Sequence, residues 1–270
     1  MRVVIEPTAE LYRLAARRVA QQVRSNPRCV LGLATGRTMI PLYAELARLH
    51  RSEALSLAGV TAFGLDEYVD VEPEGAGSFR HFLRVHLLEC TDLRPASLHL
   101  PTAEKRAAAE AARSYEARIR DAGGIDLQLL GLGANAHLGF NEPGSSLGSR
   151  TRLKTLASET LAANRDDLPP PPEAPRLALT MGLATILDAR SCLLIATGSA
   201  KANAVAATIE GALTASTPAS VLQLHPQVTA FVDDAAAVKL SRRAYYREAE
   251  ALQRALETEA PTRAWPGSVS

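Results

Sequence analysis

The stretch that most narrows what this chain can fold into runs from Leu129 to Pro143 and reads LLGLGANAHLGFNEP. Ile125 to Leu130 (IDLQLL) reads as a strand. Gly131-Leu132-Gly133 breaks it at its carboxyl end, where open α/β sheets present their chemistry. His137 and Glu142 follow on irregular backbone. Imidazole titrates near neutrality and a nearby carboxylate stabilises its charged form, so the two make a proton-handling pair. A hydrogen-bonded structural histidine in a glycine-rich loop fits the same residues, and spacing alone leaves both readings open.

On either side of this stretch, short β-branched or leucine-rich runs alternate with longer amphipathic ones. That is the pattern of a single-domain, mainly parallel, doubly wound (Rossmann-like) α/β sheet with helices on both faces, spanning residues 1–270. Strands are expected at Val3–Ile5, Cys29–Ala34, Val60–Leu65, Ile125–Leu130, Ser191–Ala196 and Val228–Val232. Helices are expected at Thr8–Ser25, Ile40–His50, Ser78–Leu88, Ala103–Ala122 and from Lys201 to about Glu210, with Ser78 as a cap. Helical sequence rich in alanine and charge is expected from Asp234 onward. Four consecutive prolines, Pro169 to Pro172, forbid helix and favour an extended surface connection.

Composition removes several classes of partner. The 30 basic and 29 acidic residues are interspersed and leave a formal charge of +1, so neither nucleic acid nor an anionic membrane surface is favoured. Three widely spaced cysteines, Cys29, Cys90 and Cys192, suggest neither a disulfide framework nor a metal site and suit a reducing compartment. The opening MRVVIEPTAEL has too short an apolar run for a signal peptide, and no stretch approaches the roughly 18 apolar residues of a membrane span. A soluble cytoplasmic protein is the expectation.

Four expected strand ends carry polar groups: Thr35 to Thr38, Asp66 to Tyr68, Asn135 to Glu142, and Gly198 to Lys201. If the strands are parallel, these groups meet on one edge of the sheet. The turn Thr35-Gly36-Arg37-Thr38 starts a helix, where amide hydrogens, the helix dipole and threonine hydroxyls suit a phosphate monoester. A strand-to-helix turn needs glycine and a capping hydroxyl in any case, so a purely structural turn fits as well. Lys201 also stands at a helix start, where a cation is unfavourable without an anion beside it.

The signature resembles that of the glucosamine-6-phosphate deaminase (isomerase) family, in which a strand is followed by G-x-G-x-[DN]-G-H and then phenylalanine-asparagine-glutamate-proline. Gly131, Gly133, Asn135, His137, Phe140, Asn141, Glu142 and Pro143 match it, and further blocks recur from about residue 30 to about 230. The resemblance implies an aldose-ketose isomerising deaminase that converts glucosamine 6-phosphate, or a related amino-sugar 6-phosphate, and water to the ketose phosphate and ammonia. It gives Asp66 the proton transfer between carbons 2 and 1, and His137 the opening of the sugar ring, oriented by Asn135 and Glu142. Thr35, Gly36, Arg37, Thr38, Arg165 and Lys201 then hold the substrate, a lid covers about residues 152–178, and no metal or organic cofactor is needed. Relatives range from monomers to allosteric hexamers. A homo-oligomer is therefore open, as is an N-acetylglucosamine 6-phosphate effector at Ser145, Arg152 and Lys154.

The chain departs from the family pattern at several positions. Ala136 replaces the glycine before the histidine, Phe79 a tyrosine, and Arg37 and Met39 a small residue and a proline; an arginine expected at Asp166 appears as Arg165. Two other functions share the architecture or the ligand. A 6-phosphogluconolactonase-type hydrolase shares the glycine-histidine motif but diverges after Phe140, and a non-catalytic sugar-phosphate-binding regulator would have no use for Asp66, His137 and Glu142.

Overall fold

The structure is a computed structural model that describes residues 1–72, 74–102, 104–156 and 176–259. Its main sheet has seven strands: β1 (Arg2–Ile5), β2 (Val30–Leu33), β3 (Thr61–Gly64), β5 (Leu98–His99), β6 (Leu127–Gly131), β9 (Cys192–Ala196) and β10 (Val228–Val232). They lie in the order β1-β10-β9-β6-β2-β3-β5, and every neighbouring pair is parallel. Parallel strands covered on both faces read as unbroken apolar runs, and all five residues of β9 are buried.

The helices are α1 (Thr8–Ser25), α2 (Ile40–Glu53), α3 (Phe79–His86), α4 (Ala108–Asp121), α5 (Leu183–Leu187), α6 (Ala202–Ile209) and α7 (Arg243–Glu259). Right-handed crossovers decide which face each one covers. The chain moves one way across the sheet from β1 through β2 and β3 to β5, then the other way through β6 and β9 to β10. Thus α1 and α2 fall on one face and α4, α5 and α6 on the other. Arg17 and Arg24 of α1 both reach Glu53 of α2, consistent with that pairing. The two directions part between β2 and β6, which is where a doubly wound sheet opens a crevice at its carboxyl edge.

A second sheet departs from the sequence expectation. Asp66-Glu67-Tyr68 is not a loop after β3 but a strand, β4, paired antiparallel with β8 (Leu177–Thr180), which in turn pairs antiparallel with β7 (Arg152–Thr155). Leu65 joins the two sheets: its N–H donates to Leu33 O at 2.7 Å and its carbonyl accepts from Met181 N–H at 2.8 Å. The expected helix from Ala103 begins as a 3-10 turn at Lys105 and becomes α only at Ala108. The last helix begins at Arg243 rather than Asp234, because Asp233 caps a run of turns with its own carboxylate on Ala236 N–H. Ser78 caps α3 as expected, accepting from His81 N–H at 3.0 Å. The proline cluster, Arg165 and the greater part of the expected lid lie outside the described residues.

Candidate active site

Asp66 is the first residue of β4, at the point where the chain leaves one sheet for the other. Tyr115 fixes the approach, its hydroxyl donating to Gly64 O at 2.6 Å and His99 O at 3.2 Å. The Asp66 side chain is buried, 5% exposed. Burial, with Glu67 adding repulsion, pushes its carboxyl from an ordinary 3.8 up to about 8. Gly139 passes so close that a Cβ there would lie 2.9 Å from both Asp66 Oδ2 and Thr180 Oγ1, so the loop can reach the carboxylate only as glycine. Thr180 holds this approach, its hydroxyl accepting from Phe140 N–H at 3.2 Å.

Glu67 alternates to the opposite side of the strand and does a different job. Its carboxylate accepts from the N–H groups of Tyr68, Phe79 and Arg80 at 2.9, 3.0 and 2.9 Å, closing the amino end of α3. Tyr68 packs with Phe79 and Phe140, ring centroids 4.7 and 5.4 Å away. The phenyl of Phe79 belongs to that aromatic cluster.

His137 stands on the loop after β6. Its Nδ1–H donates to Asn135 Oδ1 at 2.6 Å, and the same oxygen accepts the His137 N–H at 3.3 Å. That contact fixes the tautomer and leaves Nε2 as the lone-pair nitrogen. The ring lies over Gly133, where a Cβ would come within 2.3 Å of it. Burial, then the charge of Lys201, lowers its pKa from 6.5 to about 4. The expected near-neutral titration therefore gives way to a neutral imidazole. Ala136 takes φ of 63° without losing this placement. Glu142, half-buried, lies further along the same loop, where its carbonyl accepts from Ser145 N–H at 2.9 Å.

The two glycine turns are near copies of each other. Gly36 has φ 93° and ψ 168°, Gly198 has φ 87° and ψ 150°, and each leads through a 3-10 turn into a helix, α2 or α6. Met39 N–H closes the first turn on Gly36 O at 2.9 Å, and Lys201 N–H the second on Gly198 O at 3.0 Å. Met39 is fully buried beneath the turn, and Pro41 lies in the first turn of the helix. Thr35, Gly36 and Thr38 are half-buried and Arg37 is exposed. Lys201 has its pKa lowered by burial and by Arg37, and itself lowers that of His137. The ends of β2, β6 and β9 thus place Lys201 within the field of Arg37 and His137 within that of Lys201.

Some supporting contacts escaped the sequence reading. Asp233, at the end of β10, accepts from Gly198 N–H at 3.0 and 3.1 Å and from the Thr8 hydroxyl at 3.0 Å, holding the second glycine turn. Asn141 is fully buried; its amide donates to Leu138 O and Met181 O, and its oxygen accepts from Arg152 Nη1 at 2.8 Å. Asn141 is in the signature itself, whereas Asp233 has only the end of a strand to mark it. Among the described residues no group of three or more His, Cys, Asp or Glu side chains is placed to hold a metal ion, and no helix is long and apolar enough to cross a membrane.

A doubly wound parallel sheet with its titratable and cationic side chains gathered at the switch-point crevice defines an α/β protein of the sugar-phosphate isomerase and lactonase architecture. The family described as glucosamine-6-phosphate isomerases/6-phosphogluconolactonase matches residues 6–231, and the chain belongs to it. It is 44% identical over 255 residues to the glucosamine-6-phosphate deaminase of Shewanella loihica, covering 94% of this chain and 95% of that one. It is 47% identical over 254 residues to that of a Marinomonas species, covering 93% and 96%. A solved monomeric glucosamine-6-phosphate deaminase superposes with a TM-score of 0.86 at 38% identity, over 88% of this chain and 100% of the other. The 6-phosphogluconolactonase of Trypanosoma brucei, at TM-score 0.71 and 20% identity over 89% and 98% of the two chains, shares the fold.

Proposed function

We propose that this chain is a single-domain aldose-ketose isomerising deaminase that converts glucosamine 6-phosphate and water to fructose 6-phosphate and ammonia. The observation that carries the reading is geometric: a carboxyl buried against the Gly139 loop, an imidazole committed through Nδ1–H to Asn135 on the same loop, and Lys201 close enough to act on that ring, with burial pushing the carboxyl up and the imidazole down. His137, neutral with its Nδ1–H committed to Asn135, takes the anomeric hydroxyl proton on Nε2 and passes it to the ring oxygen. Asp66 then removes the carbon-2 proton of the open aldehyde and returns it to carbon 1. The resulting carbon-2 iminium adds water and releases ammonia as the ketone forms. Glu142 acts electrostatically on the same loop. The turns at Thr35–Thr38 and Gly198–Lys201, with the charge of Lys201, hold the phosphate, joined by Arg165.

Relatives 44% and 47% identical that are named glucosamine-6-phosphate deaminase support this activity over lactone hydrolysis, which is the activity named for structures 20% and 22% identical. A phosphorylated substrate and the unbridged Cys29, Cys90 and Cys192 support action in the cytoplasm. An N-acetylglucosamine 6-phosphate effector drawn to Arg152 would compete with its bond to Asn141 and so reach the signature loop. The deciding experiment is ammonia release on a panel of amino-sugar 6-phosphates, with 6-phosphogluconolactone hydrolysis run in parallel. Ammonia from glucosamine 6-phosphate is expected. Lactone hydrolysis without ammonia from any amino sugar would replace the deaminase reading by the lactonase one.

A further inference from the structure

Asp66 and His137 reach the crevice on separate elements, β4 of the second sheet and the loop after β6 of the main one. Their relative placement has to be set by something that touches both. The register of the second sheet supplies it. Asp66 of β4 and Arg152 of β7 both stand opposite Thr180 of β8, and residues directly opposite in antiparallel pairs put their side chains on one face. Asp66, Thr180 and Arg152 therefore form a row across the three strands.

That row meets three consecutive residues of the signature loop. Gly139 lies against the first two, where a Cβ would come within 2.9 Å of Asp66 Oδ2 and of Thr180 Oγ1. Phe140 N–H donates to Thr180 Oγ1 at 3.2 Å, and Asn141 Oδ1 accepts from Arg152 Nη1 at 2.8 Å. Thr180 is the middle member of the row and is fully buried. The backbone beside it repeats the linkage. Met181 N–H donates to Leu65 O at 2.8 Å, next to Asp66, and Met181 O accepts from the Asn141 amide at 2.7 Å. The same amide donates to Leu138 O at 2.9 Å, one residue past His137. Valine has the same branched shape as threonine and suits a buried strand, so what threonine adds is the acceptor for Phe140 N–H. Without it the buried amide is unsatisfied, and the loop has to shift to find another partner.

We propose that Thr180 is a positioning residue, its hydroxyl pinning the histidine loop to the strand paired with Asp66 and so fixing the two proton-handling groups in one frame, a role that rests on the deaminase reading of Asp66 and His137. Thr180 itself moves no proton of the sugar. Its contribution is to turnover and not to the grip on phosphate, which belongs to the glycine turns after β2 and β9.

Ammonia release from glucosamine 6-phosphate is measured first on the parent chain; its absence there overturns the deaminase reading and this role with it. With the parent active, Thr180→Val should lower kcat per folded chain by roughly 10- to 100-fold, the cost of a small misplacement of reacting groups. KM should move by less than about threefold, because ground-state binding is left in place. Thr180→Ser keeps the acceptor and should return kcat to within about threefold of the parent. If the valine chain does not fold, Thr180→Ala takes its place, and amide hydrogen exchange on the parent needs no variant at all: Phe140 N–H should be protected. A Thr180→Val chain that keeps the parent's kcat overturns the positioning role and leaves the deaminase reading standing. So do a loss confined to KM, an equal loss in Thr180→Val and Thr180→Ser, and a Phe140 amide that exchanges in the parent as fast as an exposed one.

Discussion

Burial favours the uncharged forms of both Asp66 and His137, and the shifts set the pH behaviour of the site. If Asp66 is the base, its working form grows as pH rises, so kcat/KM should climb toward a break near 8. His137, at about 4, should add no break between about pH 5 and 8. Asp66→Asn should lower turnover by roughly 1,000-fold and remove the rising limb. A break near 6.5 that disappears in His137→Gln would reverse these roles. The same shift has a stability sign: a carboxyl raised on folding contributes stability that is fully present below 3.8 and is lost as pH rises through about 8. Asp66→Asn should therefore melt higher than the parent chain, with the gain greatest above pH 8 and fading toward acid. Ala136 tests a different balance. Its φ of 63° costs about 1–2 kcal/mol, but its methyl is 3% exposed in the core, and burial returns about 0.8 kcal/mol. The unfolded chain also loses less freedom with alanine than with glycine. Ala136→Gly should change stability by no more than about 0.5 kcal/mol in urea, whereas β-branched Ala136→Val should cost upwards of 2 kcal/mol.

Between residue and fold, the turns after β2 and β9 act as a pair, with Lys201 as the charge between them. Removing that charge has two separable effects. Lys201→Ala should raise KM for a phosphorylated sugar by roughly 10- to 100-fold, and it should raise the pKa of His137, read by NMR titration of the ring. A His137 titration unmoved by the substitution would mean that Lys201 and His137 do not share a site. Asp233→Asn weakens the grip on Gly198 N–H, so KM should rise with less change in kcat. These elements also show what could be read from the chain. Six of the seven parallel strands, the turns and the loop through His137 were legible because each is one contiguous run, whereas the two-residue β5 was too short to show. The second sheet was not: β4 has three residues, and Asp66 pairs with Thr180 across more than 100 positions, so no local period signals it. Asp233 escaped for the same reason, since Gly198, whose amide it holds, is 35 residues away.

Across the whole molecule, the ends of the described chain are tied through Arg2. β1 is an edge strand of the main sheet, α7 lies against it, and the guanidinium of Arg2 spans Glu250 and Glu257. Glu250 is nearly inaccessible, so the contact is more than a surface ion pair. Burial pushes its carboxyl up, but the hydrogen bonds from Arg2 and Arg254 outweigh that and hold it below its ordinary 4.5. Arg2→Leu would leave the carboxylate with Arg254 alone. Losing one partner of a fully buried pair costs about 3–5 kcal/mol, and with Arg2 itself 29% exposed the loss should be nearer 2–3 kcal/mol. The sign with pH follows from a depressed carboxylate: the stability is present above 4.5 and is lost as pH falls through the lower, folded value. The gap in melting temperature between parent and Arg2→Leu should thus be widest near neutral pH and narrow in acid. Turnover per folded chain should be unchanged, because the Arg2 cluster shares no side chain with the crevice at β2 and β6. A gap that widened in acid, or a turnover that fell with stability intact, would show that Arg2 acts on the site and not on the closure of the fold.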